Sequence, residues 1–214
     1  MSDEGLVRVD AAGVTLEGNL IIPERARGVV LFAHGSGSSR FSSRNRYVAE
    51  ILRKEGGLAT LLIDLLTAEE ELVDTRTAHL RFDIQLLADR LVGTSEWLGR
   101  EHRELKIGLF GASTGGGAAL VAAAAIPDKI YAVVSRGGRP DLADGALPKV
   151  KAPTLLIVGG NDTPVIQMNQ EAYERLKCVK RLEIVPGATH LFEEPGTLEK
   201  VARLATDWFK KYLK

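Results

Sequence analysis

The sequence contains one cysteine, Cys178, in 214 residues. A single cysteine cannot form an internal disulfide, which excludes a disulfide-stabilised secreted scaffold and favours a reducing compartment. The segment "ERLKCVKRL" places Cys178 between a predicted helix and a predicted strand. That position is typical of a buried apolar side chain rather than of a reactive thiol.

The chain also lacks net charge and long apolar runs. Its 28 basic and 28 acidic residues cancel, so no overall field favours nucleic acid or an anionic membrane as a partner. No apolar run is long enough to cross a bilayer, and "MSDEGLVRVD" has neither the basic start nor the apolar core of a secretion signal. We therefore expect a cytoplasmic protein whose partner is a small molecule. The sequence does not distinguish a monomer from a dimer.

Signatures of cofactor binding are missing as well. No histidines or cysteines are paired at the spacing of metal ligands. The glycine-rich stretch "GASTGGGAAL" lacks the lysine of a phosphate-binding loop, and its mid-chain position does not fit a dinucleotide-binding fingerprint. We expect chemistry that needs neither a metal nor an organic cofactor.

What the sequence does contain is an alternation of short apolar runs and longer segments of helical period. "LVRVDAAGVTLEGNLIIP" predicts an N-terminal antiparallel hairpin, because "AAG" interrupts two alternating stretches. Later strands such as "GVVLFAHG" and "TLLIVGG" are apolar throughout and each precedes a helix. This pattern predicts one α/β domain over residues 1–214, with a mostly parallel sheet covered by helices on both faces.

Two further expectations concern the middle of the chain. The polar stretch "TAEEELVDTRT" is expected to lead into a long helix that ends near Gly99. Its apolar face would carry Leu80, Ile84, Leu87, Leu91 and Leu98. The segment between "YAVVS" and "TLLIVGG" is too short for a separate cap domain, so we expect an open cleft.

Residues able to do chemistry follow four of the predicted strands. The segments are "HGSGSS" from His34, "GASTGG" from Gly111, "GGNDTP" from Gly159 and "PGATHLF" from Pro186. In open parallel sheets the functional crevice lies beyond the carboxyl ends of the strands. We therefore expect these segments to meet at one site.

Ser113 is the candidate nucleophile. Gly111 to Gly115 fits G-x-S-x-G, in which a serine occupies a sharp turn between a strand and a helix. The turn strains the backbone and is tolerated where the residues two positions away lack side chains. The alternative is an ordinary tight turn in which Ser113 caps the helix.

A serine nucleophile needs a base, and His190 is the candidate. It follows the last predicted strand, after the serine and an acid in the order Ser, Asp, His. The other histidines fit less well: His34 precedes the nucleophile, His79 leads a helix and His102 lies in a charged connection.

Asp162 is the candidate acid, since a glycine pair at the end of a buried strand presents its carboxylate at the strand tip. Alternatively, Asp162 caps the helix that begins near Val165. Asp141 is the second choice as acid, and Asp144 and Asp64 are weaker candidates.

The remaining candidates would bind the substrate. The backbone amide of Thr114 is one expected oxyanion donor, and Ser36 or Gly35 in "HGSGSS" supplies the second. That segment alternatively forms a flexible turn. Substrate-binding candidates are Arg136, Arg139, Arg40 and Arg44, which could bind a substrate carboxylate; the alternative is solvated arginines or internal pairs such as one with Asp141.

These four segments, in this order, resemble the α/β-hydrolase fold and more closely its dienelactone-hydrolase-like branch, almost from end to end. The resemblance implies a triad of Ser113, Asp162 and His190 with the oxyanion amides named above. The namesake enzymes have a cysteine at the position of Ser113, so their lactone substrate does not carry over. We expect hydrolysis of carboxylic esters or lactones through an acyl-serine. The alternatives are a thioesterase or acyltransferase with the same triad, or a catalytically silent binding scaffold.

Overall fold

A computed structural model describes residues 5–213. Within that part of the chain, eight strands form a single sheet. They are β1 (Leu6–Ala11), β2 (Val14–Ile21), β3 (Gly28–Ala33), β4 (Ala59–Ile63), β5 (Lys106–Ala112), β6 (Ile130–Arg136), β7 (Thr154–Gly159) and β8 (Lys180–Val185). Their order across the sheet is β1, β2, β4, β3, β5, β6, β7, β8.

The helices alternate with these strands. The described residues form six α-helices: α1 (Ser43–Lys54), α2 (Ala68–Thr77), α3 (Ile84–Glu101), α4 (Thr114–Ala125), α5 (Thr163–Arg175) and α6 (Thr197–Tyr212). Two 3₁₀ segments, Leu80–Phe82 and Pro140–Lys149, complete the order. None of the helices in residues 5–213 is both long enough and apolar enough to cross a membrane.

The predicted N-terminal hairpin is confirmed. β1 pairs antiparallel with β2 across a turn at Ala12 and Gly13, both of which have positive φ. β2 pairs antiparallel with β4, whereas the neighbours from β4 to β8 are parallel. Parallel strands need crossover connections, and helices supply them here.

Helices cover both faces of the sheet, as the fully apolar strands predict. On one face, α3, α4 and α5 pack against residues such as Leu31, Leu61 and Leu109. On the other face, α1 and α6 pack against residues such as Phe32 and Phe110. Burial on both faces explains why the central strands carry no alternating polar positions.

The expectation of one helix through Leu80 is wrong. Residues Ala68–Thr77 form the separate helix α2, and Leu80 lies in a 3₁₀ turn before α3. A capping box begins α2: the Thr67 hydroxyl accepts from the Glu70 N–H, and the Glu70 carboxylate accepts from the Thr67 N–H at 2.8 Å. Gly99 lies inside α3, which continues to Glu101.

The connection between β6 and β7 adds no separate cap. It folds as 3₁₀ turns over Pro140–Lys149, and Ala143 and Leu147 are buried in the core. A Cβ on Gly117 of α4 would lie 2.7 Å from the Arg139 carbonyl oxygen, so the connection rests directly on that helix. The carboxyl ends of the central strands therefore remain accessible.

Candidate functional site

A strained turn holds Ser113 at the carboxyl end of β5. Ser113 has φ 52° and ψ −122°, and α4 begins at the next residue. A Cβ on Gly111 would lie 2.4 Å from the Gly115 carbonyl oxygen, and one on Gly115 would lie 2.3 Å from that of Ala33. The predicted need for glycine on both sides of the serine therefore has a direct steric cause.

Asp162 and His190 are hydrogen-bonded to each other. His190 Nδ1 lies 2.7 Å from Asp162 Oδ2. Asp162 occupies the N-cap position of α5, but its side chain makes no capping hydrogen bond. The alternative role as a helix cap is thus not the one observed, because the carboxylate is directed to the imidazole.

The loops that carry Asp162 and His190 are tied together by their backbones. The Asn161 N–H donates to the Ala188 carbonyl oxygen at 2.9 Å, and the Gly160 N–H donates to that of Val185 at 2.8 Å. A Cβ on Gly159 would lie 2.5 Å from the Ala188 carbonyl oxygen, so a glycine permits this approach. Asp162 and His190 are therefore held as one unit.

Ser113 and His190 line the same cavity, which has a volume of about 240 Å³. The His190 side chain is 38% exposed and the Asp162 side chain 14% exposed, so the imidazole reaches solvent while the carboxylate is sheltered. The other residues around the cavity are Gly35, Ser36, Ser38, Ser42, Arg44, Asn45, Ala112, Arg136 and Leu191.

The expected oxyanion residues lie next to Ser113. A Cβ on Gly35 would be 3.1 Å from the Ser113 Cβ, so the glycine allows the loop after β3 to contact the serine. The Ser36 N–H donates to the Thr114 hydroxyl oxygen at 2.9 Å. Thr114 is the first residue of α4, where backbone N–H groups have no partner within the helix.

His34 has a structural role in this loop. Its Nε2 accepts a hydrogen bond from the Leu65 N–H at 3.1 Å, so the proton is on Nδ1, which lies 3.0 Å from the Gly35 carbonyl oxygen. Burial of the imidazole lowers the pKa of His34, an effect that the Gly35 carbonyl partly offsets. Neutral His34 thus connects the loops after β3 and β4.

The three alternative acids are each paired with an arginine instead of a histidine. An aspartate held in such a pair has its carboxylate directed away from any imidazole. The pairs are Asp141 with Arg139 at 2.7 Å, Asp144 with Arg175 at 2.9 Å, and Asp64 with Arg40.

The structure separates the arginine candidates. Arg40 pairs with Asp64 and with Glu17, and Arg139 binds Asp141 through two nitrogens. Neither of these arginines is among the described residues that line the cavity of Ser113, whereas Arg136 and Arg44 both line it. Burial, and then the positive charge of Arg44, lowers the pKa of Arg136 to about 10. Arg136 is therefore still a cation at neutral pH.

Sequence reasoning missed Asn45. This residue of α1 is only 2% exposed, lines the cavity, and places its Oδ1 3.4 Å from Arg136 Nη2. A signal was present, because Asn45 lies three and seven residues before the buried Val48 and Leu52. A polar side chain on the apolar face of a helix indicates a specific contact.

Residues 16–213 match the profile of the Dienelactone hydrolase family. The chain belongs to this family. A dienelactone hydrolase family member of known structure, from Anabaena variabilis ATCC 29413, is 66% identical, with a TM-score of 0.96 over 98% of this chain and 97% of that one.

Other relatives share less of their length or less of their sequence. Two Mycobacterium tuberculosis proteins, each named "Putative phosphoribosyl transferase", are 57% identical over 97% of this chain. The chain covers 46% of those proteins and so spans about half their length. Est1E from Butyrivibrio proteoclasticus has a TM-score of 0.80 at 17% identity, over 97% of this chain and 98% of that one, and shows the shared α/β-hydrolase fold. The family supports hydrolase activity for this dienelactone hydrolase family member.

Proposed function

We propose that this dienelactone hydrolase family member is a serine hydrolase that cleaves carboxylic ester or lactone bonds in a small acyl substrate. One observation carries the proposal. His190, whose Nδ1 lies 2.7 Å from Asp162 Oδ2, lines the same cavity as Ser113, which occupies a strained turn. This grouping supports a triad in which Ser113 is the nucleophile, His190 the base and Asp162 the acid.

In the proposed mechanism, His190 removes the proton of the Ser113 hydroxyl as the serine oxygen attacks the acyl carbon. Asp162 accepts from Nδ1–H, which leaves Nε2 as the basic nitrogen and stabilises the imidazolium that forms. The protonated imidazole then gives its proton to the leaving alcohol. Water, deprotonated by His190, attacks the acyl-serine and releases a carboxylic acid and free Ser113.

The tetrahedral intermediate carries an oxyanion that needs hydrogen-bond donors. In the proposal, the N–H of Thr114 at the start of α4 and the N–H of Ser36 supply them, with Gly35 allowing the close approach. The Ser36 N–H donates to the Thr114 hydroxyl in the structure. An oxyanion is a stronger acceptor than a hydroxyl, so it would take this hydrogen bond when it forms.

The names of the relatives bear on the choice of reaction. The transferase name belongs to mycobacterial proteins of which this chain covers 46%, so the proposed hydrolysis is assigned to the matched part alone. The Anabaena variabilis protein, which is named a dienelactone hydrolase, matches over nearly its whole length. Hydrolysis is therefore favoured over transfer.

The proposal is tested first by covalent labelling. The parent chain, Ser113→Ala and His190→Ala are incubated with a fluorophosphonate and measured by intact-mass spectrometry. We expect one adduct on Ser113 of the parent, no adduct on Ser113→Ala, and labelling slowed by at least about 100-fold in His190→Ala, since the base activates the hydroxyl.

The unlabelled parent chain is then assayed with matched acyl esters, thioesters and lactones. Faster hydrolysis of esters or lactones supports the proposal, whereas preferred cleavage of thioesters would assign the same residues to a thioesterase. A folded parent chain that takes no fluorophosphonate would overturn the hydrolase function and favour a binding scaffold.

A further inference from the structure

Among the described residues, Arg136 is a buried cation with no counter-charge. It is the last residue of β6, it is 6% exposed, and it lines the cavity of Ser113 and His190. Its Nε is buried and has no hydrogen-bond partner in the described part of the chain. No carboxylate of residues 5–213 forms an ion pair with it. A buried charge without a partner is costly, so its presence calls for an explanation.

The surroundings of Arg136 do not neutralise it. The nearest polar partner is the neutral Asn45, whose Oδ1 lies 3.4 Å from Nη2, and the guanidinium is 5.8 Å from the ring centroid of Phe192. Arg44, also on the cavity wall, is a second positive charge that repels it. Nε of Arg44 is buried without a hydrogen-bond partner among the described residues, while its Nη1 binds Glu193 at 3.1 Å.

Another buried arginine shows how this chain satisfies such a group when its role is structural. Arg90 is 3% exposed, its Nη2 binds Glu70 at 2.7 Å, and its Nη1 donates to the carbonyl oxygens of Ala11 and Ala12. In the part of the chain that the structure describes, Arg136 has neither a carboxylate nor a carbonyl of this kind. The contrast points to a bound anion as the partner of Arg136.

We propose that Arg136, assisted by Arg44 and positioned by Asn45, is an anion-binding subsite that holds a carboxylate or phosphate group of the substrate while Ser113 attacks its acyl carbon. The inference rests on the proposed function, because the bound molecule is the acyl substrate. Each guanidinium group is planar and presents several N–H donors, which match the oxygens of a carboxylate or a phosphate. The substrate class is thus an ester or lactone with a second, negatively charged group.

The test compares two esters whose acyl chains have the same number of carbon atoms. In 4-nitrophenyl hemisuccinate a carboxylate replaces the terminal methyl of 4-nitrophenyl butyrate. We expect kcat/KM of the parent chain to be at least about tenfold higher for the hemisuccinate, as a charge-assisted hydrogen bond provides. In Arg136→Gln the ratio should fall to near one, chiefly through KM of the hemisuccinate, and Arg136→Lys should retain part of it.

Arg53→Gln is the matched control. Arg53 lies on α1, as Arg44 does, and binds the Thr60 hydroxyl at 2.8 Å away from the cavity. It should keep the parental ratio of the two esters. If Arg136→Gln does not fold, as judged by circular dichroism, Arg44→Gln takes its place and should lower the ratio as well.

Binding is measured separately from catalysis by isothermal titration calorimetry of Ser113→Ala with succinate and with inorganic phosphate. Tighter binding of succinate assigns the subsite to a carboxylate, and tighter binding of phosphate assigns it to a phosphate. The double variant Ser113→Ala, Arg136→Gln should bind neither probe. An anion bound equally well without Arg136 and without Arg44 would overturn the subsite.

The two proposals fail in different ways. Fluorophosphonate labelling of Ser113 with no preference for the hemisuccinate and no anion binding would overturn the subsite and leave the hydrolase function intact. Anion binding that depends on Arg136, in a chain that takes no fluorophosphonate, would support the subsite and overturn the hydrolase function.

Discussion

Asp162 shows how the role of a residue depends on the donor that its side chain binds. An aspartate just before a helix usually accepts from the first backbone N–H groups of that helix. Here the carboxylate accepts from His190 at 2.7 Å, and α5 begins without a side-chain cap. The stabilisation that the cap would give to the helix is forgone, which is understandable if the carboxylate is needed at the imidazole.

Replacing Asp162 tests that role. Asp162→Asn keeps the shape of the side chain but removes its charge and favours the wrong tautomer of His190, so we expect kcat on a 4-nitrophenyl ester to fall by about 10⁴-fold. The measurement is steady-state kinetics, with circular dichroism to verify folding. Asp141→Asn, which alters the carboxylate bound to Arg139, should keep kcat within about threefold. A large loss in Asp141→Asn and none in Asp162→Asn would assign the acid to Asp141.

At this scale the sequence predicts the motif residues better than their neighbours. Ser113, Asp162 and His190 each follow a strand in a short recognisable segment. The structure places Asp162 and His190 in contact and Ser113 in the same cavity as His190. The sequence does not reveal which arginines have an acidic partner, because such partners can lie far away in the sequence. Arg40 lies 24 positions from Asp64, and no local pattern reveals that pairing.

Among the elements, α4 is a helix of small side chains, and its glycines allow a close approach to the sheet. Its glycines at 115, 116 and 117 bring the helix against backbone or side-chain atoms of β3, β6 and the β6–β7 connection. This contact fixes the N-terminus of α4, and therefore the amide of Thr114, relative to Ser113. Small residues here are a requirement of packing as much as of flexibility.

The same substitution at two helical glycines should have opposite effects. Gly115→Ala puts a Cβ 2.3 Å from the Ala33 carbonyl oxygen, and we expect the free energy of unfolding to fall by about 3 kcal/mol. Gly99→Ala in α3 meets no atom within 4 Å and should raise it by about 0.5–1 kcal/mol through helix propensity. Urea denaturation of both variants measures the difference. Equal effects at the two sites would contradict the packing argument.

Helix α2 shows where sequence patterns were insufficient. "TAEEELVDTRT" is polar and has no apolar stripe, so periodicity predicts no helix there. The capping box at Thr67 and Glu70 was a readable start signal, and Asp83, whose side chain accepts from the Leu86 N–H at 3.0 Å, was another for α3. Capping residues therefore mark these two helix starts, which apolar spacing alone does not reveal.

Across the whole molecule, the strand order could not be derived from the sequence. Apolar runs predict strands and their mostly parallel arrangement, but β4 lies between β2 and β3, an order set by how the helices pack on the two faces. The same order brings the loops after β3 and β4 side by side. His34 then joins them by accepting from the Leu65 N–H.

That link predicts a pH dependence of stability. Because the pKa of His34 is lowered by burial, the unfolded chain binds its proton more readily than the folded chain does. The contribution of neutral His34 to the free energy of unfolding is therefore complete above about pH 6.5 and decreases as the pH falls below that value. Asp64 and Glu71 oppose the shift of the pKa but do not reverse it.

Urea denaturation at pH 7 and pH 5 measures this dependence. His34→Gln should be less stable than the parent chain at pH 7 and should lose less stability between the two pH values. The control is His79→Gln, an exposed side chain whose ring binds the Thr77 hydroxyl; it should keep the parental dependence. If His34→Gln has the same pH dependence as the parent chain, another group is responsible.

Ser113 and Arg136 are joined through the backbones of two neighbouring strands. The Ser113 N–H donates to the Arg136 carbonyl oxygen at 3.3 Å, and β5 and β6 are neighbours in register up to Ala112 and Arg136. The distance between the Ser113 hydroxyl oxygen and the Arg136 guanidinium is therefore set by the sheet and not by a mobile loop. A homologous series of dicarboxylic half-esters should then show a single optimum of chain length, with shorter members unable to reach both groups and longer ones forced to buckle.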